Sequence, residues 1–155
     1  MSCWATIEIP AGSYNEYELD DHGRLFLDWV AVEPFPANYG SIENTLAEDG
    51  DQLDVLVITD EPIIAMTRVE IKPVGVMYMI DNHEEDYKLV AVAKTDDNYN
   101  KVASTDEFAP DFRDKIQAFF KNFKDATNTP VSFKGWGDAK DAEKLIVESQ
   151  KRFKK

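Results

Sequence analysis

The chain's 155 residues, 43% of them apolar and 12% aromatic, suffice to bury about two thirds of the unfolded surface, which predicts one domain over 1–155 and excludes disorder. A formal charge of -13, from 30 acids against 17 bases, repels nucleic acid and anionic lipid, so neither is expected as a partner. No apolar run approaches the roughly 18 residues of a membrane span and no leader pattern opens the chain, which predicts a soluble, cytoplasmic protein.

Short apolar runs punctuated by turn residues fill the first half. Thr6-Ile7-Glu8-Ile9 ends at Pro10, Tyr17-Glu18-Leu19 ends at Asp20-Asp21-His22-Gly23, and Leu25 to Val30 follows; each reads as a strand. Glu33 to Gly40 reads as an irregular loop, because Pro34 and Pro36 forbid a continuous ladder. Leu53 to Ile58, Arg68 to Pro73, Gly75 to Ile80 and Tyr87 to Ala93 read as further strands, the last two joined in a hairpin across Asp81 to Asp86. The period then changes. Phe112, Ile116, Phe119, Phe120 and Phe123 recur at steps of three and four, which predicts a helix over 110–126 with Pro110 in its first turn. A second helix should start at Asp138 as N-cap, with Ala142, Leu145, Ile146 and Phe153 facing inward. Short strands followed by two helices predict an α+β, mainly β fold, a small closed barrel with two C-terminal helices packed outside. The lone Cys3 cannot form an intrachain disulfide, and it reads as a small residue at the start of a strand.

Chemistry concentrates in Asp49-Gly50-Asp51-Gln52-Leu53-Asp54, directly before the apolar run Val55 to Ile58. Two carboxylates 4 Å apart repel by roughly 4 kcal/mol at a surface-like dielectric, so this crowding beside a buried strand calls for compensation. A hard divalent cation is the usual compensator. An EF-hand is excluded, since Leu53 holds the fifth loop place and Asp54 the sixth, where glycine is required. Asp49 and Asp51 share a side in an extended segment, while Asp54 at the strand start needs a bend that Gly50 or the junction can supply. Taken alone, the triplet reads equally as a solvated acidic turn. Asp81 and Asp86 tip the balance, because the hairpin brings them together, with Lys88 on the same face as Asp86. Five aspartates and a lysine at one barrel mouth would suit several Mg²⁺ ions and a phosphate-containing ligand. His22 and His83 are turn residues without a partner histidine at ligand spacing and are discounted.

Together these residues resemble the soluble family I inorganic pyrophosphatases over nearly the whole chain. The landmarks are Ile7-Glu8-Ile9-Pro10-Ala11, Tyr17-Glu18, Pro36 to Gly40, Asp49 to Val55, Pro73 to Val76, Asp81, Asp86 to Val92, Phe119-Phe120, Phe123-Lys124 and Gly135-Trp136. The resemblance implies a five-stranded OB-type barrel with the site at its mouth, hydrolysis of pyrophosphate with Mg²⁺ or Mn²⁺, and a homo-oligomer, a hexamer in bacterial members. It also implies roles. Asp49, Asp51, Asp54, Asp81 and Asp86 match metal ligands, Asp51 matches the favoured general base, Glu8 and Glu18 match acids acting through water, and Tyr39, Lys88 and Lys124 match phosphate contacts.

The chain departs from that pattern on the phosphate side. Glu16 stands where the family has a phosphate-binding lysine, in a loop one residue shorter, and Trp29 replaces an arginine. Phe35 and Phe123 replace two phosphate-binding tyrosines, and Gln52 a proline. Arg24 lies on the opposite strand face from Trp29, leaving Lys94 and Lys134 as possible substitutes. Each lost donor to a developing charge costs about 3 kcal/mol, roughly 10² in rate. Three expectations follow: a weakened pyrophosphatase, a hydrolase of another diphosphate whose organic group stacks on the new aromatics, or a non-catalytic metal- or phosphate-binding relative.

Overall fold

In Trp4–Ile9 exposed and buried side chains alternate, so Ala5, Ile7 and Ile9 turn inward, and the segment forms β1. The computed structural model describes residues 2–155. In chain order it continues with β2 (Asn15–Leu19), β3 (Leu25–Val30), β4 (Asn38–Ile42), β5 (Asp54–Ile58), β6 (Arg68–Asp81), β7 (Glu84–Glu85), β8 (Lys88–Ala93), α1 (Phe112–Asp125), β9 (Val131–Gly137) and α2 (Ala139–Phe153). Among the described residues no helix is long and apolar enough to cross a membrane.

Strand pairing closes a ring in the order β1, β4, β5, β8, β6 and back to β1, parallel between β5 and β8 and antiparallel elsewhere. This is the expected five-stranded OB-type architecture. β9 extends it beside β6, and β2 with β3 forms a separate two-stranded ribbon. Val55, Val57, Leu89 and Ala91 enter one apolar cluster together with Ala142 and Ile146 of α2. Their alternates Leu56, Val90 and Val92 enter another with Ile116, Phe119 and Phe120 of α1. Burial on both faces explains why β5 and β8 are continuous apolar runs.

Several expectations change. Asn38 to Gly40, read as loop, opens β4, because the prolines that forbid a ladder lie before it. Asn38 is fully buried and anchors the strand: its Oδ1 accepts from Ala11 N (2.9 Å) and Ile63 N (2.8 Å), and its Nδ2 donates to the Val57 carbonyl (3.0 Å) and Thr59 Oγ1 (2.7 Å). Gly40 is required there, since a Cβ would fall on the Thr6 carbonyl. The strands read at Arg68–Pro73 and Gly75–Ile80 are one, β6, with the register shift between Pro73 and Gly75 accommodating the proline. β9 was not expected at all. The hairpin is present, turning at Asn82 and His83, whose φ values of 50° and 70° suit a two-residue turn. Asp138 caps α2 as expected, accepting from Asp141 N (2.9 Å), but Phe153, expected to face inward, is exposed, and α1 starts after Pro110, with Asp111 as its N-cap.

Candidate active site

The five aspartates singled out in the sequence line one cavity of about 450 Å³, together with Tyr39, Lys88 and Lys124. Local structure explains the convergence. Gly50, at φ 93°, supplies the bend, Asp51 N donates to Asp49 Oδ1 (3.0 Å), and Ala47 N donates to the Asp51 carbonyl (2.7 Å). The chain then enters β5 at Asp54, whose parallel register partner is Lys88. Asp81 ends β6, and Asp86, leading into β8, donates its N–H to the Met79 carbonyl (2.9 Å).

Lys88 is 3% exposed, and its ammonium donates to Asp54 Oδ2 (2.6 Å), Tyr39 Oη (2.8 Å) and Asp86 Oδ1 (3.0 Å). Burial alone would push the ammonium down, but Asp54, Tyr39 and Asp86 outweigh it and hold Lys88 well above its ordinary value. Burial, and then Asp54, raises the Tyr39 hydroxyl, which accepts from Lys88 and keeps its own proton to donate. Burial raises Asp86 against the pull of Lys88. Lys124 Nζ pairs with Asp81 Oδ2 at 2.6 Å.

The donor set fits hard divalent cations. Six carboxylates, the five aspartates and Glu16, line the cavity against two lysines. Asp81 Oδ1 is buried without a hydrogen-bond partner, which costs free energy unless a ligand meets it. Carboxylate oxygens are what Mg²⁺ and Mn²⁺ prefer.

The departures sort into packing and charge. Phe35 is 3% exposed, with ring centroids 4.6 Å from Phe119 and 5.1 Å from Tyr39, while Phe123 meets Trp29 edge-on at 5.2 Å. Phe35 is packed as core, whereas Phe123 is half-buried and Trp29 stays 39% exposed, and all three line the cavity. Arg24 pairs with Asp20 (3.0 Å) and Lys94 with Glu70 (3.6 Å); neither they nor Lys134 line the cavity.

Glu16 does more than remove a lysine. It stands with Glu8 and Glu18, their carboxylate oxygens within 4.8 Å of one another, and it lies beside Asp28. Glu8 and Glu18 do not line the main cavity; Glu16 connects them to it. The spacing of Glu16 and Glu18 on one strand face signals half of this group, whereas Glu8 and Asp28 join only through the fold. Burial, with Glu18, Glu16 and Asp54 nearby, raises Glu8 to about 8, and burial with Asp28 raises Glu16 to about 7. Burial, then Asp28, raises Glu18 as well.

A pH signature follows. A carboxyl whose folded pKa exceeds its unfolded one keeps a proton that the unfolded chain releases, so stability falls as pH rises from about 4.5 to about 8, the loss being complete above that. Glu8→Gln removes this penalty. The metal-free variant is expected to melt several degrees above wild type at pH values beyond 8, the gap closing toward pH 5. A gap of equal size at both ends would refute the assignment.

The sequence profile described as inorganic pyrophosphatase matches residues 5–154. The chain is 44% identical over 153 residues to the inorganic pyrophosphatase of Halalkalibacterium halodurans, covering 97% of this chain and 94% of that one. It is 41% identical over 144 residues to that of Leifsonia xyli, covering 90% and 88%. Its fold superposes on the inorganic pyrophosphatase of Helicobacter pylori with a TM-score of 0.90 at 36% identity, covering 99% of this chain and 94% of that one. Profile, sequence and fold agree over nearly the whole chain, and the chain belongs to the inorganic pyrophosphatase family.

Proposed function

We propose that the protein hydrolyses inorganic pyrophosphate to two phosphates, using Mg²⁺, or Mn²⁺, held by Asp49, Asp51, Asp54, Asp81 and Asp86. The carrying observation is the convergence of these carboxylates on one cavity in which Asp81 Oδ1 is buried without a partner. Bound there, the cations would spread phosphoryl charge and acidify a water. Asp51, exposed on the turn at the cavity edge, is the general base that takes that water's proton. Tyr39, whose O–H is free to donate, Lys88 and Lys124 bind phosphoryl oxygens. Glu8 and Glu18 act through water at the rim. Residues 1–155 form the single catalytic domain.

Burial of Phe35 against Phe119 and Tyr39 favours pyrophosphate over a diphosphate whose organic group stacks on open rings, and Trp29, 39% exposed at the cavity wall, is the most open of the new aromatics. The functional cost of the departures falls on Glu16 and Trp29, which face each other across the β2–β3 ribbon. Phosphate release measured with Mg²⁺ tests the reading, and its absence under all metal conditions would overturn it. The double variant Glu16→Lys/Trp29→Arg is expected to release phosphate about 10- to 100-fold faster than wild type, since each regained donor offsets up to about 3 kcal/mol.

The protein also self-associates in this reading, as a hexamer. Leu25, Leu27 and Val30 on β3 are more than half exposed, a concentration of apolar surface that a partner copy would cover. Light scattering should return six chain masses; a monomer at micromolar concentration would refute it.

A further inference from the structure

Among the described residues β3 pairs with β2 alone, and every one of its side chains, Leu25 to Val30, is exposed. Asp20 N donates to the Arg24 carbonyl (2.9 Å), which turns residue 24 toward β2. Strand alternation turns Phe26 toward β2 as well, and it turns the N–H and C=O groups of Leu25 and Leu27 away, onto an open edge. An exposed apolar edge is a template for another strand, and soluble proteins guard theirs with lysine, proline, a bulge or a covering element. Leu25-Phe26-Leu27 carries no guard, since the bulge comes only at Asp28.

That bulge also decides which side chains share a face. Asp28 and Trp29 together oppose Glu16, so the pairing gains a residue there. With Trp29 opposite Glu16 and Phe26 opposite Glu18, the shift cancels the odd separation expected to put Arg24 and Trp29 on opposite faces. Arg24, Phe26 and Trp29 share the face of Glu16 and Glu18. Within one chain Arg24 stays at the far end of the ribbon, where its Nε donates to Asp20 Oδ2 (3.0 Å) and its side chain is 74% exposed. Asp28 stands at the other end, beside Glu16 and Glu18.

A second β3, running antiparallel about a twofold axis, completes this edge in one register better than in its neighbours. Centred on Leu25, it sets Arg24 against Phe26; centred on Leu27, it sets Asp28 against Phe26. Centred on Phe26, it sets Leu25 against Leu27 and Arg24 against Asp28, each pair made twice by the symmetry. Leu25 and Leu27 are also the residues whose backbone groups point outward, so they exchange the hydrogen bonds. An unrelated extended segment would meet the open backbone groups, but the mirrored charges favour a second copy of this chain.

We propose that two copies join along β3 in this register, forming a continuous sheet β2–β3–β3–β2 and bringing the partner's Arg24 to Asp28, beside Glu16 at the active-site cavity. This pairing rests on the self-association reading and adds the surface and the register to it. In a closed hexamer it is a twofold contact, and its loss leaves trimers.

Charge exchange, read by sedimentation velocity, tests the pairing. Arg24→Asp alone sets acid against acid, and Asp28→Arg alone sets base against base, so each variant by itself should associate about a hundredfold more weakly and sediment as trimers. Mixed in equal amounts, the two are expected to recover the hexamer, because every contact between them joins opposite charges. Recovery also shows that both chains are folded. Leu27→Lys, a guard placed on the exposed edge, should dissociate the assembly to the same extent and serves if Arg24→Asp loosens its turn. Folded variants whose mixture stays dissociated overturn the β3 pairing. A wild type and variants that all sediment as hexamers keep the self-association reading and overturn the pairing, whereas a monomeric wild type overturns the self-association reading itself.

Discussion

Asp51→Asn is expected to lower phosphate release from pyrophosphate about a thousandfold, the scale of a lost general base, with the melting temperature close to that of wild type. Asparagine keeps the size and shape of the side chain and one acceptor oxygen but cannot take a proton near neutral pH. The turn does not depend on the Asp51 carboxylate. It is held by the Asp51 N–H on Asp49 Oδ1, by Ala47 N on the Asp51 carbonyl, and by Gly50 N on the Ala47 carbonyl (3.0 Å). The loss should therefore sit in kcat, with KM for pyrophosphate little changed, because the groups proposed to bind phosphate, Tyr39, Lys88 and Lys124, come from other elements.

The control that gives this result meaning is a metal titration. Asp51 is also assigned as a metal ligand, so part of its effect could arise from weaker cation binding, which raising Mg²⁺ would reverse. A proton-acceptor role predicts that the deficit persists at saturating Mg²⁺. A rate restored to within tenfold of wild type at high Mg²⁺ would show that Asp51 holds metal and that another group takes the proton.

Much of this site was legible in the sequence, for a physical reason. Acid density ahead of an apolar strand, and acids at both ends of a two-residue turn, are local patterns whose geometry follows from strand and hairpin rules. The helices were legible from their period, and Asp138 from its capping chemistry. What escaped depends on contacts across the fold. β4 contains Asn38 and Gly40, poor strand formers by themselves, held by side-chain hydrogen bonds to Val57 and Thr59 and by close approach to Thr6. β9 hides because Gly135, at φ 108°, interrupts the alternation that Val131 and Phe133 begin, and the register with β6 shifts there. Glu16 read as a lost lysine. Its place beside Glu8 and Asp28 needed the packing of β1 against the ribbon.

Lys88→Met should lower the stability of the metal-free protein by about 3 kcal/mol, the cost of leaving buried charge unpaired. For a chain of this length that is a fall of roughly 10 °C in melting temperature. Methionine keeps an apolar stem of similar length, so the substitution isolates the ammonium, with its three hydrogen bonds and its position 5.4 and 5.2 Å from the ring centres of Tyr39 and Phe120. The figure belongs at the low end of the range for broken buried pairs, because the Asp54 and Asp86 side chains keep 30% and 17% of their exposure and water can screen them. The sign with pH is fixed by Asp86, whose carboxyl is raised by burial and held down by Lys88. Without the lysine it rises further, so the deficit should be largest at neutral pH and above and should shrink on acidification, as the carboxyl takes up the proton that replaces the lost cation. Added Mg²⁺ should stabilise the variant more than wild type, because it supplies positive charge to two carboxylates that have lost theirs. Calorimetric scans at neutral and acidic pH, with and without Mg²⁺, decide the matter. A loss that is independent of pH and untouched by Mg²⁺ would mean that Lys88 serves packing alone, whereas the expected pattern would show one buried ammonium holding together the Asp54 and Asp86 carboxylates at the barrel mouth.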